Sequence, residues 1–110
     1  YIHTCNLVSL NLSLLLDRET LAKSCSVAVK ILDNTIDLTV TPIAESNLHN
    51  NHYRTIGVGA MGLADYLAIN HLPYKGDSGT LEEVDKLFEF IINSAATIVV
   101  KSKNIIYIKK

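Results

Sequence analysis

The sequence predicts a mainly α-helical chain with one or two short strands near its N-terminus. Three observations carry that reading. Apolar residues recur at helical spacing from Leu21 to Ile36 and again from Leu81 to Val99, while Cys5 to Leu12 is an apolar-leaning run with mixed alternation. At 110 residues, 48% hydrophobic and 19% charged, the chain has the length of one small domain and a composition that argues against disorder. Such a chain buries roughly two-thirds of its unfolded surface, enough for a single modest core. Its first residue is Tyr1 rather than a Met, which leads us to expect a piece of something longer.

The elements follow in order. From about residue 3 to residue 11, Cys5, Leu7, Ser9 and Asn11 alternate with Asn6, Val8, Leu10 and Leu12, as in a largely buried strand. Asp17 is a good N-cap, and the stripe Leu21, Cys25, Ala28, Leu32 and Ile36 predicts an amphipathic helix over about 18–37. Pro42 and the polar stretch Glu45–Arg54 read as a loop. A second helix is expected over about 56–70, although Gly57, Gly59 and Gly62 each weaken it by about 1 kcal/mol relative to Ala. Leu72-Pro73 closes it, and residues 76–79 form a turn. Thr80-Leu81-Glu82-Glu83 has the form of a capping box. The helix it opens, over about 80–103, places Leu81, Val84, Phe88, Ile91, Ala95, Ile98 and Val99 on one face. Asn104 suits its left-handed end, and the tail Ile105–Ile108 has no assignment.

Charge and composition exclude several functions. Ten basic against eleven acidic residues leave a net charge of −1, which argues against a nucleic-acid-binding patch. Apolar runs such as Leu14–Leu16 and Ile98–Val100 are far too short to span a bilayer, and no secretory signal opens the chain. Two cysteines make no disulfide framework and fit a reducing, cytoplasmic setting.

Few residues carry chemistry on their own. Gly57-Val58-Gly59-Ala60-Met61-Gly62 has the form G-x-G-x-x-G, but a dinucleotide site needs a hydrophobic strand before it. His49-Asn50-Asn51-His52-Tyr53-Arg54-Thr55 does not read as one, and Asp77, the acidic residue at suitable distance, sits in a turn. Glycines for close helix packing are the favoured reading. His49 and His52 are a potential pair of metal ligands with only Glu45 nearby, so a solvated loop is favoured. His3 and His71 are isolated. Cys25 falls on an apolar face and reads as a core thiol, whereas Cys5 lies on the predicted strand between Thr4 and Asn6. Spacing alone makes Cys5 structural. A bond between the two would close a loop worth about 3 kcal/mol, but nothing requires it.

Three stretches in register carry a resemblance. Cys5-Asn6-Leu7-Val8-Ser9-Leu10-Asn11-Leu12 resembles the C-N-L-x-S-[IL]-N-L segment of the ribonucleotide reductase large subunit. Ile31-Leu32-Asp33-Asn34-Thr35-Ile36-Asp37 is similar to that family's [FL]-L-D-N-x-I-D, with Pro42-Ile43 matching the Y-P-I that follows. Arg54-Thr55-Ile56-Gly57-Val58-Gly59-Ala60-Met61-Gly62-Leu63-Ala64-Asp65 resembles R-x-I-G-[LV]-G-x-M-G-L-A-D. The likeness runs from Cys5 to about Ser94. Beyond it, Val99-Val100-Lys101-Ser102-Lys103-Asn104 departs from the family's L-A-x-E-R-G-x-Y.

The resemblance implies part of a ten-stranded α/β barrel that reduces ribonucleotides to deoxyribonucleotides through a cysteine thiyl radical. Two further thiols supply electrons and end as a disulfide, and Cys5 aligns with one of them. The radical cysteine, in N-x-C-x-E, would lie upstream, so the chain is expected to be inactive alone. No cofactor or metal is expected within it. The whole enzyme would need a radical generator (a metal-containing small subunit or adenosylcobalamin), nucleotide effectors, a second large subunit, and thioredoxin or glutaredoxin. Two alternatives stand beside this: a nucleotide-binding oxidoreductase using Gly57, Gly59 and Gly62, and a non-enzymatic helical domain from a broken gene. If the strands lack partners, exposed Leu10–Leu16 becomes an aggregation hazard.

Overall fold

In the computed structural model, which describes residues 2–102, side chains of Asn6–Asn11 alternate between a covered and an open face, forming strand β1. Asn11 ends it by turning its side-chain oxygen onto the Ser13 N–H at 3.2 Å, which starts a single 3₁₀ turn at Leu12–Leu14. Helix α1 spans Arg18–Leu38. Its N-cap is Asp17, whose carboxylate accepts the Thr20 N–H at 3.0 Å. The buried face of α1 carries Leu21, Cys25, Ala28, Val29, Leu32 and Ile36, a 3.6-residue stripe laid along β1 and the last helix.

Two expectations fail in the middle of the chain. The stretch read as the loop Glu45–Arg54 is mostly a helix, α2, over Ala44–Tyr53. It buries Ser46, His49 and Asn50, so its inward face is polar and leaves no apolar stripe to read. The helix expected over 56–70 is instead a strand followed by a short helix: β2 spans Ile56–Met61 and α3 spans Leu63–Ile69. Strand β2 pairs parallel with β1 along its whole length, Asn6 opposite Ile56 and Asn11 opposite Met61. Gly57 and Gly59 therefore lie in a strand and not in a packed helix.

The reason is pairing with β1, against which Gly57 packs closely. A Cβ on Gly57 would stand 2.7 Å from the Cδ2 of Leu7, its partner across the ladder. Gly62 has φ 77°, a left-handed conformation that lets β2 turn straight into α3. The unit β1–α1–α2–β2 is thus a parallel strand pair joined by a helical crossover. The strands are partners to one another rather than orphans.

Helix α4 spans Ser78–Ser102. Its start is capped by Asp77, which accepts the Thr80 N–H at 2.8 Å and the Leu81 N–H at 3.0 Å. The expected Thr80–Glu83 box does not form: the Thr80 hydroxyl donates to the Pro73 carbonyl, and Glu83 faces Arg18 and Tyr66 instead. The inward face is offset from the expected one. Leu87 and Ile91 enter the core with Val84 against it, while Leu81 is 57% exposed and Phe88 lies at the surface. The burial of Ile98 and Val99, the helix end near Lys103, Asn104, and the tail Ile105–Ile108 lie outside the described residues.

One core unites these elements: Leu10, Leu12, Leu21, Cys25, Ala28, Tyr66, Leu67, Leu87 and Ile91. Full burial of a leucine contributes about 1.5–3 kcal/mol, so these few side chains dominate the fold's stability. Leu10 and Leu12 point into that core while Leu14 and Leu16 are exposed, so the Leu10–Leu16 stretch is only half open.

Candidate functional site

Alternation sets the site. Leu10 points into the helix-covered core and Val8 packs against it, so Leu7 and Ser9 fall on the opposite face, with Cys5 at its head. That face is open: Leu7 is 71% exposed, and Met61 at the far end of β2 is 54% exposed. Gly57 and Gly59 sit beside Leu7 and Ser9 in register, so this side of the ladder has a low floor. Among the described residues this parallel pair has helices on one side and no element on the other, which makes it incompletely covered, because parallel sheets are ordinarily buried on both faces.

Cys5 is a free, exposed thiol just ahead of β1. Its neighbours are held on α2. The Asn50 side-chain oxygen, on a residue only 3% exposed, accepts from the Thr4 hydroxyl at 2.9 Å and from the Asn6 amide at 3.4 Å. The Asn6 amide also reaches the Thr55 carbonyl at 3.4 Å, which ties the same segment to the start of β2. The Cys5 Sγ lies 3.8 Å from the Nδ1 of His3. The His3 ring meets the buried His49 ring edge-on at 4.6 Å, and His49 in turn packs on Tyr53. Burial, reinforced by His3, pushes His49 below the ordinary imidazole value.

Where α2 enters β2, Arg54 takes a left-handed conformation at φ 50°. Its guanidinium grips the C-terminal half of α1: Nε donates to the Asp33 carboxylate at 3.0 Å, Nη1 to Asp37 at 2.8 Å, and Nη2 to the Asp33 carbonyl at 2.9 Å. Burial works against the charge, but the hydrogen bonds to Asp37 and Asp33 outweigh it and hold Arg54 above its usual value. This clamp ties the α2–β2 junction to the C-terminal half of α1.

The other sequence candidates are dispersed. Cys25 lies fully inside the core, and burial pushes its thiol up, which suppresses the thiolate. His49 and His52 share α2, but His49 points inward and His52 packs on Tyr53 at the surface. Among the described residues, no group of three or more His, Cys, Asp or Glu side chains is placed to hold a metal ion. Gly57 and Gly59 are inside β2, and only Gly62 meets a helix, the seven-residue α3. A dinucleotide fingerprint needs its glycines after the strand, so these three do not build one. Gly62 is also beyond the opposite end of the ladder from Cys5, about 22–24 Å along the strand direction at roughly 3.2–3.4 Å per residue. Asn50 and the Arg54–Asp33–Asp37 clamp were missed by sequence reasoning. The acidic pair four residues apart on α1 was the available signal for the clamp.

Comparisons with known proteins place the chain in a family. A family profile described as ribonucleotide reductase, barrel domain, matches residues 1–102. The chain belongs to that family. Over 89 residues it is 54% identical to the ribonucleoside-diphosphate reductase subunit alpha of Synechocystis sp., covering 81% of this chain and 11% of that protein. The subunit alpha of Helicobacter pylori is 38% identical over 87 residues, 79% of this chain and 11% of the relative. The large chain of Neurospora crassa is 34% identical over 100 residues, 84% of this chain and 11% of the relative. The chain thus spans about a tenth of the length of these reductase subunits, as a segment of the large-subunit barrel would. A barrel built of strands and covering helices accounts for a parallel pair that is helix-packed on one face only. Among the described residues, no helix is long and apolar enough to cross a membrane.

Proposed function

We propose that this chain is a working segment of a ribonucleotide reductase barrel, and that Cys5 is one thiol of the pair that reduces the ribose. The observation that carries the reading is the contrast between the two cysteines: Cys5 is exposed at the head of a strand with both neighbours anchored, and Cys25 is sealed in the core. In the proposed reaction a thiyl radical elsewhere in the barrel removes a hydrogen atom from the ribose. Cys5 and a partner thiol then give up two electrons and two protons as the 2′-hydroxyl leaves as water, and their sulfurs bond. The two Cα atoms must come within about 7 Å for that bond, which favours a thiol at the anchored entry to a strand over one in an unrestrained loop.

The substrate in this reading is a ribonucleotide. The complete protein works with a radical-generating small subunit or adenosylcobalamin, binds nucleotide effectors, pairs with a second large subunit and is re-reduced by thioredoxin or glutaredoxin in the cytoplasm. None of these groups is assigned to residues of this segment, and the segment alone, without the radical cysteine, is inactive.

The test is Cys5→Ser in the full-length reductase. Radical formation should persist while multiple turnover stops, and normal turnover would remove the assigned role. Reading the coding sequence upstream should reveal N-x-C-x-E; a stop codon or unrelated sequence there would end the case for a working enzyme.

A further inference from the structure

We propose that His3 is the proton acceptor of Cys5, forming a thiolate–imidazolium pair held in place by α2. The inference deepens the redox reading of Cys5 and rests on it for its biological meaning. Its geometry is independent of that reading. The Cys5 Sγ and the His3 Nδ1 are 3.8 Å apart, within reach of a sulfur hydrogen bond. Two exposed side chains would not normally hold such an arrangement, because each loses rotamer freedom to make one weak contact. Here the backbone on both sides is restrained. Asn50 anchors Thr4 and Asn6 through one buried oxygen, and the His3 ring rests edge-on against the His49 ring. The Ile2 N–H adds a bond to the Glu45 carbonyl at the start of α2, so residues 2–6 are fastened at four points.

The titratable and charged groups facing His3 from the elements around it are few. Cys5 lies on its own segment, His49 faces it from α2 with Tyr53 behind, and Glu45 stands one turn earlier on the same helix. Burial, then the charges of His3 and of the chain's amino terminus, lower His49 and favour its neutral form, so His49 itself adds no opposing charge to a proton on His3 near neutral pH.

The chemistry balances simply. The Cys5 S–H bond breaks and its proton passes to the His3 Nδ1. The thiolate attacks one sulfur of a disulfide, a new S–S bond forms, and the old one breaks to release the other sulfur as a thiolate. The imidazolium then returns its proton to that leaving thiolate or to water. No net oxidant beyond the disulfide is required.

The experiment uses this chain with Cys25→Ser, so that Cys5 is the reporting thiol, and an aromatic disulfide (DTNB) as the probe. Rates are followed from pH 6 to pH 10 for the His3 form and for His3→Gln. At pH 7 the His3→Gln rate should be about threefold or more slower, and the two profiles should converge above about pH 9, where an ordinary thiol ionises unaided. Superimposed profiles would overturn the pair. A constant offset at every pH would do the same, because it signals altered access rather than altered ionisation. Asn50→Asp, which keeps an oxygen acceptor, should preserve the pH-dependent advantage, and Asn50→Leu should abolish it; the opposite result would remove α2 from the proposal. Failure of the pair on this chain leaves the turnover test of Cys5→Ser untouched, so the two readings fall separately.

Discussion

The side-chain oxygen of Asn50 stands 2.9 Å from the hydroxyl of Thr4, forty-six residues earlier in the chain. That one contact brings a polar helix against the segment that carries the exposed thiol. Because Asn50 is almost fully buried, removing its acceptor strands the groups that donate to it. Asn50→Leu should cost about 1–3 kcal/mol, read as a lower denaturant midpoint at unchanged slope. A loss below about 0.5 kcal/mol would mean that water replaces the bond freely.

Gly62 should tolerate no side chain. Its φ of 77° is unfavourable for other residues, and an added Cβ would lie 2.8 Å from the Asn11 Oδ1. That oxygen also holds the Ser13 N–H and hydroxyl, so the clash undoes the end of β1. Gly62→Ala is expected to destabilise by about 1–2 kcal/mol. Gly57→Ala meets only the tip of the flexible Leu7 side chain and should cost less. Equal losses at the two positions, measured by thermal unfolding, would contradict the strand-to-helix turn.

The buried face of α4 is decided by comparing two leucines. Leu87→Ala removes a fully buried side chain and should cost about 2–5 kcal/mol. Leu81→Ala, at a position 57% exposed, should fall within about 0.5 kcal/mol of the unchanged chain. The reverse order would restore the face read from spacing.

Stability should decline on the acid side in two stages. His49 is depressed in the fold, so the unfolded chain binds its proton first. Its contribution is present above the ordinary imidazole value of about 6.5 and is lost as pH falls below it. Asp17 is lowered by the Thr20 backbone N–H and then by the Thr20 hydroxyl, so its contribution is present above the ordinary carboxylate value and disappears as pH falls through the folded one. His49→Gln should flatten the first stage and Asp17→Asn the second, in urea midpoints measured from pH 8 to pH 3. An unaltered pH dependence in either variant would refute that assignment.

Arg54 should resist even its closest replacement. A lysine carries the charge but cannot present three donors in a fork to Asp33 and Asp37. Arg54→Lys should lower stability by about 1–2 kcal/mol, and Asp33→Asn in the same background should add much less than it does alone. Strict additivity in that double-mutant cycle would show that the clamp does not couple them.

For α1 and β1 the spacing by itself was enough, whereas on α4 the same kind of spacing pointed to a face offset from the buried one. The spacing Leu21, Cys25, Ala28, Leu32, Ile36 coincides with the buried face of α1, and the alternation from Asn6 to Asn11 with β1, because burial of an apolar stripe is a local consequence of helix or strand geometry. Cys25 was legible as a core thiol for the same reason. The family resemblance on three motifs was also present in the chain alone. Tertiary structure decided the rest. Strand β2 is built on glycines, whose strand content comes from pairing with β1 rather than from side chains, and α2 hides polar residues whose partners lie on distant segments. Thr4 and Asn50, or Arg54 and Asp33, become neighbours only through the crossover between two parallel strands, and no periodicity in a single stretch encodes a contact between two.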